Sequence, residues 1–361
     1  MGMLKKAILV CGTILGIVVA CQTLHAQNWS WATGISGVAS VSSDGIAVDA
    51  SGNTYVTGYF EGSADFGNGI LLNGAVGQTD IYVAKFDALG TAIWAIKGGM
   101  SQNDYSREIA LDGLGGVYVT GSFTDSLRLT MSMGSTIVYS AGELDVFLAK
   151  LDANTGNALW LKSAGGPSSD EGTSLTLGSN KVFVAGMHAG MANFDAVTLN
   201  SYGLTDAFVA CYNETTANWT WAKTAGTPSI DQAWGICTDG TNIFATGFYE
   251  GAVFNFGTTS LSGIGNVDGF VTKLDINGNT AWSARIGAAN QNESPTSIAS
   301  DGQNVFVTGN ASGQATIEFG GTPVVFSTPP GQNTDFWVCK MDATTGNCQW
   351  ATSEGGSGTD I

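Results

Sequence analysis

The chain has 361 residues, among them 51 Gly, 10 Trp and only 6 Pro, and 43% are hydrophobic against 12% charged. That apolar content excludes a disordered polymer, because burial can offset the entropy of ordering, and Gly does not recur at every third position, which excludes collagen. A formal charge of −17, from 13 basic and 30 acidic residues, repels nucleic acid and anionic lipid and favours solubility or association with cations.

The first 26 residues read as an export signal: a basic start with Lys5 and Lys6, an apolar run from Ala7 to Ala20, and a short polar exit ending at Ala26. The run is too short to span a bilayer, so it predicts a cleaved signal peptide and not a transmembrane helix. Cleavage after Ala26 leaves 27–361 as the mature chain. Val18-Val19-Ala20-Cys21 offers the competing reading, a lipobox with Cys21 as the lipidated residue. Either way the protein is exported, to the extracellular space or outer cell surface. Beyond this segment stand Cys211, Cys237, Cys339 and Cys348. An exported chain permits disulfides and their connectivity is open, but each Cys occupies an ordinary strand position of the repeat described next, which predicts buried thiols. His188 is the one histidine outside the signal, so a two-His metal site is excluded.

Tryptophans recur at Trp31, Trp94, Trp160, Trp221, Trp282 and Trp350, with spacings of 63, 66, 61, 61 and 68 residues. A long, nearly fixed period marks a repeat architecture. The units run 31–94, 94–160, 160–221, 221–282 and 282–350, with a truncated sixth at 350–361. Each unit holds four short apolar segments. GIAVD, EIALD, SLTLG, GICTD and SIASD form the first, and TYVTG, VYVTG, VFVAG, IFATG and VFVTG the second. DIYVAKFD and its counterparts form the third, and the fourth begins at the Trp. Gly and Asn turns join neighbours, as in hairpins. The third segments barely alternate, so their sheets are buried on both faces. The fold predicted is all-β: a β-propeller of four-stranded antiparallel blades, with five complete repeats and the start of a sixth, hence an incomplete ring whose natural chain continues. Trp29 to Ile35 matches a fourth strand with no preceding blade. Gly58, Gly121, Gly186, Gly247 and Gly309 close the second segment, which suits a bulge or close backbone approach.

The order Trp94, Gly98-Gly99, Asp104, Ile109-Ala-Leu-Asp112, Tyr118-Val-Thr-Gly121, Asp145-Val-Phe-Leu-Ala-Lys-Leu-Asp152, Trp160 resembles the SBBP β-propeller repeat of exported bacterial proteins, notably of the Bacteroidetes. The resemblance covers 29–361. It implies an exported, often surface-associated propeller and defines no reaction. Asp152 to Trp160 and Asp342 to Trp350 also look like the tryptophan-docking motif of quinoprotein propellers, where the Trp is wedged between blades and Asp and Thr fix a turn. The adjacent Cys pair of that family is absent, so no quinone cofactor is expected.

Asp80, Asp145, Asp206, Asp268 and Asp335 open the third segment in all five units and read as turn anchors, as do Lys85, Lys150, Lys273 and Lys340 after them. Asp104, Asp170 and Asp231 each lie ten residues after their Trp, with Asn292 and Asp360 in the equivalent places. On the connection to the next inner strand they predict a carboxylate rim that suits Ca²⁺, or a set of Asx turns. His188 aligns with Phe60, Phe123 and Tyr249 and so replaces a packed aromatic. The connections at 61–79, 124–144, 189–205, 250–267 and 312–334 vary between units, contain small added hairpins, and carry Tyr139 and Tyr202. With Tyr105, Arg107 and Trp234 they form the candidate binding face for an extracellular glycan or protein. No catalytic residue is assigned. The function predicted is a non-catalytic binding or structural module of a larger cell-surface or secreted protein. The alternative is a polysaccharide hydrolase or lyase with acids on the loop face.

Overall fold

Runs of Val, Ile, Tyr and Phe bounded by Asp, Asn and Gly fold as strands because branched and aromatic side chains suit a pleated surface, while the bounding residues close turns. Asp49 shows the turn chemistry: its Oδ1 accepts the N–H groups of Ser51 and Asn53 at 2.8 and 3.0 Å, and Asp112, Asp239 and Asp301 repeat the device. The computed structural model describes residues 31–132, 134–288, 291–312, 314–318, 324–327 and 334–354, with backbone alone at 314–318, 324–327, 334–335 and 354. The export segment with Cys21, and Asp360 of the truncated sixth unit, lie outside the described residues. The chain divides at Ala32/Thr33, and all that follows concerns the unit from Thr33 onward.

The first sheet joins β2 (Val41–Val48), β3 (Thr54–Glu61), β6 (Thr79–Phe86) and β7 (Ala92–Gly98), with β1 (Ser36–Gly37), β4 (Ser63–Asp65) and β5 (Leu71–Asn73) beside it. The second joins β8 (Asp104–Leu111), β9 (Gly116–Thr130), β10 (Ser135–Asp152) and β11 (Ala158–Ala164). The third joins β12 (Asp170–Gly178), β13 (Lys181–His188), β16 (Asp206–Asn213) and β17 (Asn218–Gly226), with the hairpin β14 (Met191–Phe194) and β15 (Val197–Asn200) between its second and third strands. The fourth joins β18 (Asp231–Thr238), β19 (Asn242–Tyr249), β22 (Asp268–Asp275) and β23 (Thr280–Gly287), with β20 (Val253–Phe256) and β21 (Thr259–Ser262) inserted. The fifth joins β24 (Glu293–Ser300), β25 (Asn304–Ser312), β28 (Thr334–Asp342) and β29 (Cys348–Glu354), with β26 (Gln314–Glu318) and β27 (Val324–Ser327) inserted. Every pairing within these sheets is antiparallel and links strands in chain order.

The core lies between sheets. Val117, Val119, Phe147 and Ala149 of the second sheet pack on Tyr55, Ile81, Val83 and Trp94 of the first. Their neighbours Tyr118, Val146 and Leu148 turn the other way, onto Val182, Val184, Phe208 and Ala210 of the third. Alternate residues of one strand thus serve two cores, and burial of each such side chain stabilises by roughly 1.5–3 kcal/mol. The first strands of consecutive sheets pack on one another, β2 on β8, β8 on β12, β12 on β18 and β18 on β24. Face-to-face sheets converging on their first strands are the construction of a β-propeller. Among the described residues no helix is long and apolar enough to cross a membrane.

The repeated tryptophans clamp successive sheets. Trp94 Nε1 donates to Ala153 O at 3.2 Å and Trp221 Nε1 to Ile276 O at 3.3 Å, each carbonyl belonging to the turn between the third and fourth strands of the next sheet. Gly156 and Gly278 of those turns lie over the rings at φ of 73° and 82°; a Cβ on either would stand 2.9 Å from the indole. Asp152 Oδ1 holds its turn through the N–H groups of Asn154 and Thr155, as Asp342 does for Thr344 and Thr345.

Several boundaries differ from expectation. Of the strand expected at Trp29 to Ile35, Trp29 and Ser30 lie outside the described residues and Thr33–Ile35 form no strand; Ser36 and Gly37 instead pair with Asp65 and Ala64 of the first hairpin. The same clasp joins β17 to β20 and β23 to β26, so each inserted hairpin bonds to the end of the fourth strand preceding its unit. The first strands also begin earlier than the apolar segments, so Asp104, Asp170 and Asp231 open strands and do not lie on connections. Glu293, not Asn292, takes the equivalent position, pairing with Ala311 as Asp231 does with Tyr249.

Candidate functional site

Each first strand carries one extra residue opposite the repeated glycine of the second strand. Pairing skips Asp44, Arg107, Thr173, Trp234 and Thr296, beside the pairs Ser43–Gly58, Ser106–Gly121, Gly172–Gly186, Ala233–Gly247 and Pro295–Gly309. A β-bulge re-aims a side chain, and it brings the two backbones close here: a Cβ on Gly121 would stand 1.9 Å from Tyr105 O, and one on Gly186 1.9 Å from Glu171 O. The close approach expected of these glycines is present, within the second strand and not at its end.

The five bulge residues differ in chemistry although the surrounding repeat does not. Arg107 donates to Asp44 at 2.9 Å and to Glu171 at 2.6 Å, and so ties the first strands of three sheets together. Its guanidinium stands 5.2 Å from the ring of Tyr105 and 5.9 Å from that of Tyr59. Those rings meet edge-on at 5.0 Å. Thr173 donates to Ala233 O at 2.7 Å. Trp234 is 41% exposed, an indole left to solvent beside the half-buried Gln232. Tyr105, Arg107 and Trp234 therefore stand on the converging first strands and not on a connection. Tyr139 and Tyr202 are exposed on the second-to-third-strand segments, as expected.

The two repeated acid sets, which the sequence presents as separate, meet at the junctions between sheets. A Cβ on Gly99 would stand 2.3 Å from Asp80 Oδ1 and 2.5 Å from Asp104 Oδ2; one on Gly165, 2.4 Å from Asp145 Oδ1 and 2.9 Å from Asp170 Oδ2; one on Gly226, 2.4 Å from Asp206 Oδ1 and 3.0 Å from Asp231 Oδ2. At the fourth junction Gly287 bears on Asp268, whose charge acts on Glu293. All of these acids are buried. Backbone N–H groups hold the outer Oδ2 of Asp145 and Asp206, from Ala141 and Tyr202, and the gap-facing Oδ2 of Asp170 and Asp231, from Gly166 and Thr227. Among the described residues, Asp104 Oδ2, Asp145 Oδ1, Asp206 Oδ1 and Glu293 Oε1 have no hydrogen-bond partner.

Burial pushes Asp104 up to about 8, with the Asp80 charge adding to it and the N–H groups of Thr124 and Met100 opposing. Burial likewise raises Asp170 and Asp231 to about 7, Asp145 and Asp206 to about 6, and Glu293 to about 8. The structure does not gather Asp104, Asp170 and Asp231 into one rim. Each has its own partner acid, and among the described residues no three His, Cys, Asp or Glu side chains converge. The side chain of Asp335 lies outside the description.

His188 is fully buried, sits between Asp170 and Asp206 in register, and shares a 2.8 Å hydrogen bond with Thr224 Oγ1. It fills the place of Phe123 and Tyr249, and burial holds it down at about 4. Lys85 and Lys273 donate to Ala153 O and Ala343 O, so they secure turns. The four described cysteines are free thiols.

No family model matches the chain. A stretch of 297 residues is 24% identical to the regulatory protein FlaEY of Caulobacter vibrioides, over 76% of this chain and 29% of that protein. A stretch of 105 residues is 32% identical to a WD repeat-containing protein of Acanthamoeba polyphaga mimivirus, over 27% of this chain and 8% of that protein. The chain thus spans less than a third of either relative. Similar solved structures include the Dos1 propeller, at 11% identity and a TM-score of 0.40 over 87% of this chain and 84% of that one. Another is the quinohemoprotein alcohol dehydrogenase of Comamonas testosteroni, at 14% identity and a TM-score of 0.40 over 88% and 44%.

Proposed function

We propose that this chain is an exported, non-catalytic β-propeller that binds an extracellular glycan through the row of bulge residues on its first strands, as a module of a larger surface or secreted protein. One observation carries the reading: the repeat keeps its buried acids, tryptophans and glycines in unit after unit but places Asp44, Arg107, Thr173, Trp234 and Thr296 at the one position where a bulge re-aims the side chain. Different residues at equivalent places make a surface that can distinguish a ligand, and an exposed indole among hydroxyl and amide groups suits the apolar face of a sugar ring. The five sheets are read as five blades of a larger ring, a reading supported by apolar positions left open at the ends of the series. Ile46 is 67% exposed where its counterpart Ile109 is 3%, and Trp350 is 39% exposed where Trp94 is 8%. Export rests on residues 1–26.

A glycan array followed by tryptophan-fluorescence titration tests the binding role. Trp234→Ala is expected to abolish binding to the glycans that the parent retains while leaving the melting temperature unchanged. Equal binding by parent and variant, or no glycan retained by the parent, would refute the assignment.

A further inference from the structure

The four described junctions are copies of one pocket, and they differ in a single respect. On the fourth strand, the residue paired with Tyr82, Phe147, Phe208 and Phe270 is Lys97, Ser163, Thr224 and Arg285 in turn. At the first junction Lys97 Nζ lies 3.0 Å from Asp80 Oδ2 and its charge also reaches Asp104. At the fourth, the charge of Arg285 acts on Glu293. The chain itself therefore supplies a cation to the first and fourth acid pairs.

At the second and third junctions it does not. Ser163 and Thr224 are neutral, and among the described residues no ion pair reaches Asp145, Asp170, Asp206 or Asp231, nor is a cation among the main influences on any of them. His188, beside the third pair, stays neutral at physiological pH because burial opposes its charge. Asp145 is 2% exposed and the other three are fully buried; Asp145 Oδ1 and Asp206 Oδ1 have no hydrogen-bond partner among the described residues and lie at the gap over Gly165 and Gly226, facing Oδ2 of Asp170 and Asp231, each of which accepts one backbone N–H and keeps a lone pair for an ion. Two carboxylates facing each other in a low-dielectric gap repel strongly unless a positive charge stands between them. We infer that the Asp145–Asp170 and Asp206–Asp231 pairs each take up a Ca²⁺ ion, which stands where Lys97 and Arg285 place their charges at the flanking junctions. Ca²⁺ is a hard ion that accepts carboxylate and hydroxyl oxygens and completes its shell with water; Thr227 Oγ1, 3.0 Å from Asp231 Oδ2, and Thr224 Oγ1, 3.5 Å from Asp206 Oδ2, add hydroxyls at the third junction. With so few protein ligands, the affinity expected is that of extracellular calcium modules, a dissociation constant of about 10⁻⁴–10⁻³ M.

Calorimetric titration of the EGTA-stripped protein with CaCl₂ is expected to give two ions per chain, and a higher melting temperature in Ca²⁺ than in EGTA. Thr224→Lys, which copies the first junction into the third, is expected to lower the stoichiometry to one. Lys97→Ser, the reverse exchange, is expected to raise it to three. If Thr224→Lys does not fold, Asp206→Asn serves in its place and again leaves one ion. Absence of calcium binding by the parent overturns the inference, because the pairs are then neutralised by a shared proton. A stoichiometry unmoved by either exchange overturns it equally, because the ions then sit elsewhere.

Discussion

Asp104 shows what burial does to a residue that a sequence presents only as a repeated acid. Its carboxyl is raised from 3.8 to about 8. The native state then binds a proton more tightly than the unfolded chain, so the stability this residue contributes is full below the unfolded value and is lost as pH rises through the folded one. In EGTA, the melting temperature is expected to fall between about pH 5 and about pH 9, and Asp104→Asn to melt higher than the parent at the alkaline end while matching it at the acid end. Thermal scans across that range check it; an unchanged slope in the variant would show that Asp104 is ionised throughout. Both acid sets were legible in the sequence because each recurs with the period of the tryptophans. Their meeting was not, since Asp80 and Asp104 belong to different units and only the packing of one sheet on the next brings them to Gly99. The replacement of the next Asp in that series by Glu293 escaped for a related reason. Spacing from the Trp pointed one residue early, to Asn292, and strand register decides such a case.

Among elements, the clamp between a fourth strand and the next turn concentrates the most energy in the fewest residues. Trp94 is buried against Gly156, whose positive φ and missing Cβ are both required. Trp94→Ala is expected to destabilise by about 3–5 kcal/mol, as large-to-small changes of a buried aromatic do. Gly156→Val is expected to be destabilising as well, because it adds a branched side chain to a left-handed backbone position and drives it into the indole; denaturant titration of both variants measures the losses. The Asp152 turn and the recurring Trp were both readable, but not which ring meets which turn, because the indole over Gly156 belongs to Trp94 of the preceding unit. The bulges were not readable. Arg107 and Trp234 lie in polar stretches before the apolar segments, where period-two alternation gives no signal, and so the sequence places them on connections. The five glycines opposite them were the available clue, since a strand glycine marks close approach, but they do not reveal which partner residue is extruded.

Across the whole series of sheets, stability is a matter of neighbours: four of the described cores are each shared by two successive sheets and none spans three, while a fifth lies on the first sheet beneath its own hairpin. Interior and terminal copies of the same residue should therefore respond differently. Ile109→Thr, inside the first shared core, is expected to lower stability by about 1–3 kcal/mol, whereas Ile46→Thr, on the open face, is expected to stay within about 0.5 kcal/mol of the parent. Equal losses from chemical denaturation would mean that Ile46 is covered after all. One further property follows from the inserted hairpins. Their clasp to the preceding fourth strand, as between Ala225 and Phe256 or Ile286 and Ile317, is made of main-chain groups. No side chain has to specify it, so the hairpins can drift in sequence, as their unlike residues in this chain show, without loosening the seam between sheets. A gene that duplicates or deletes one repeat therefore passes on a working fastener with every copy, and the number of repeats can change while the joints between them stay the same.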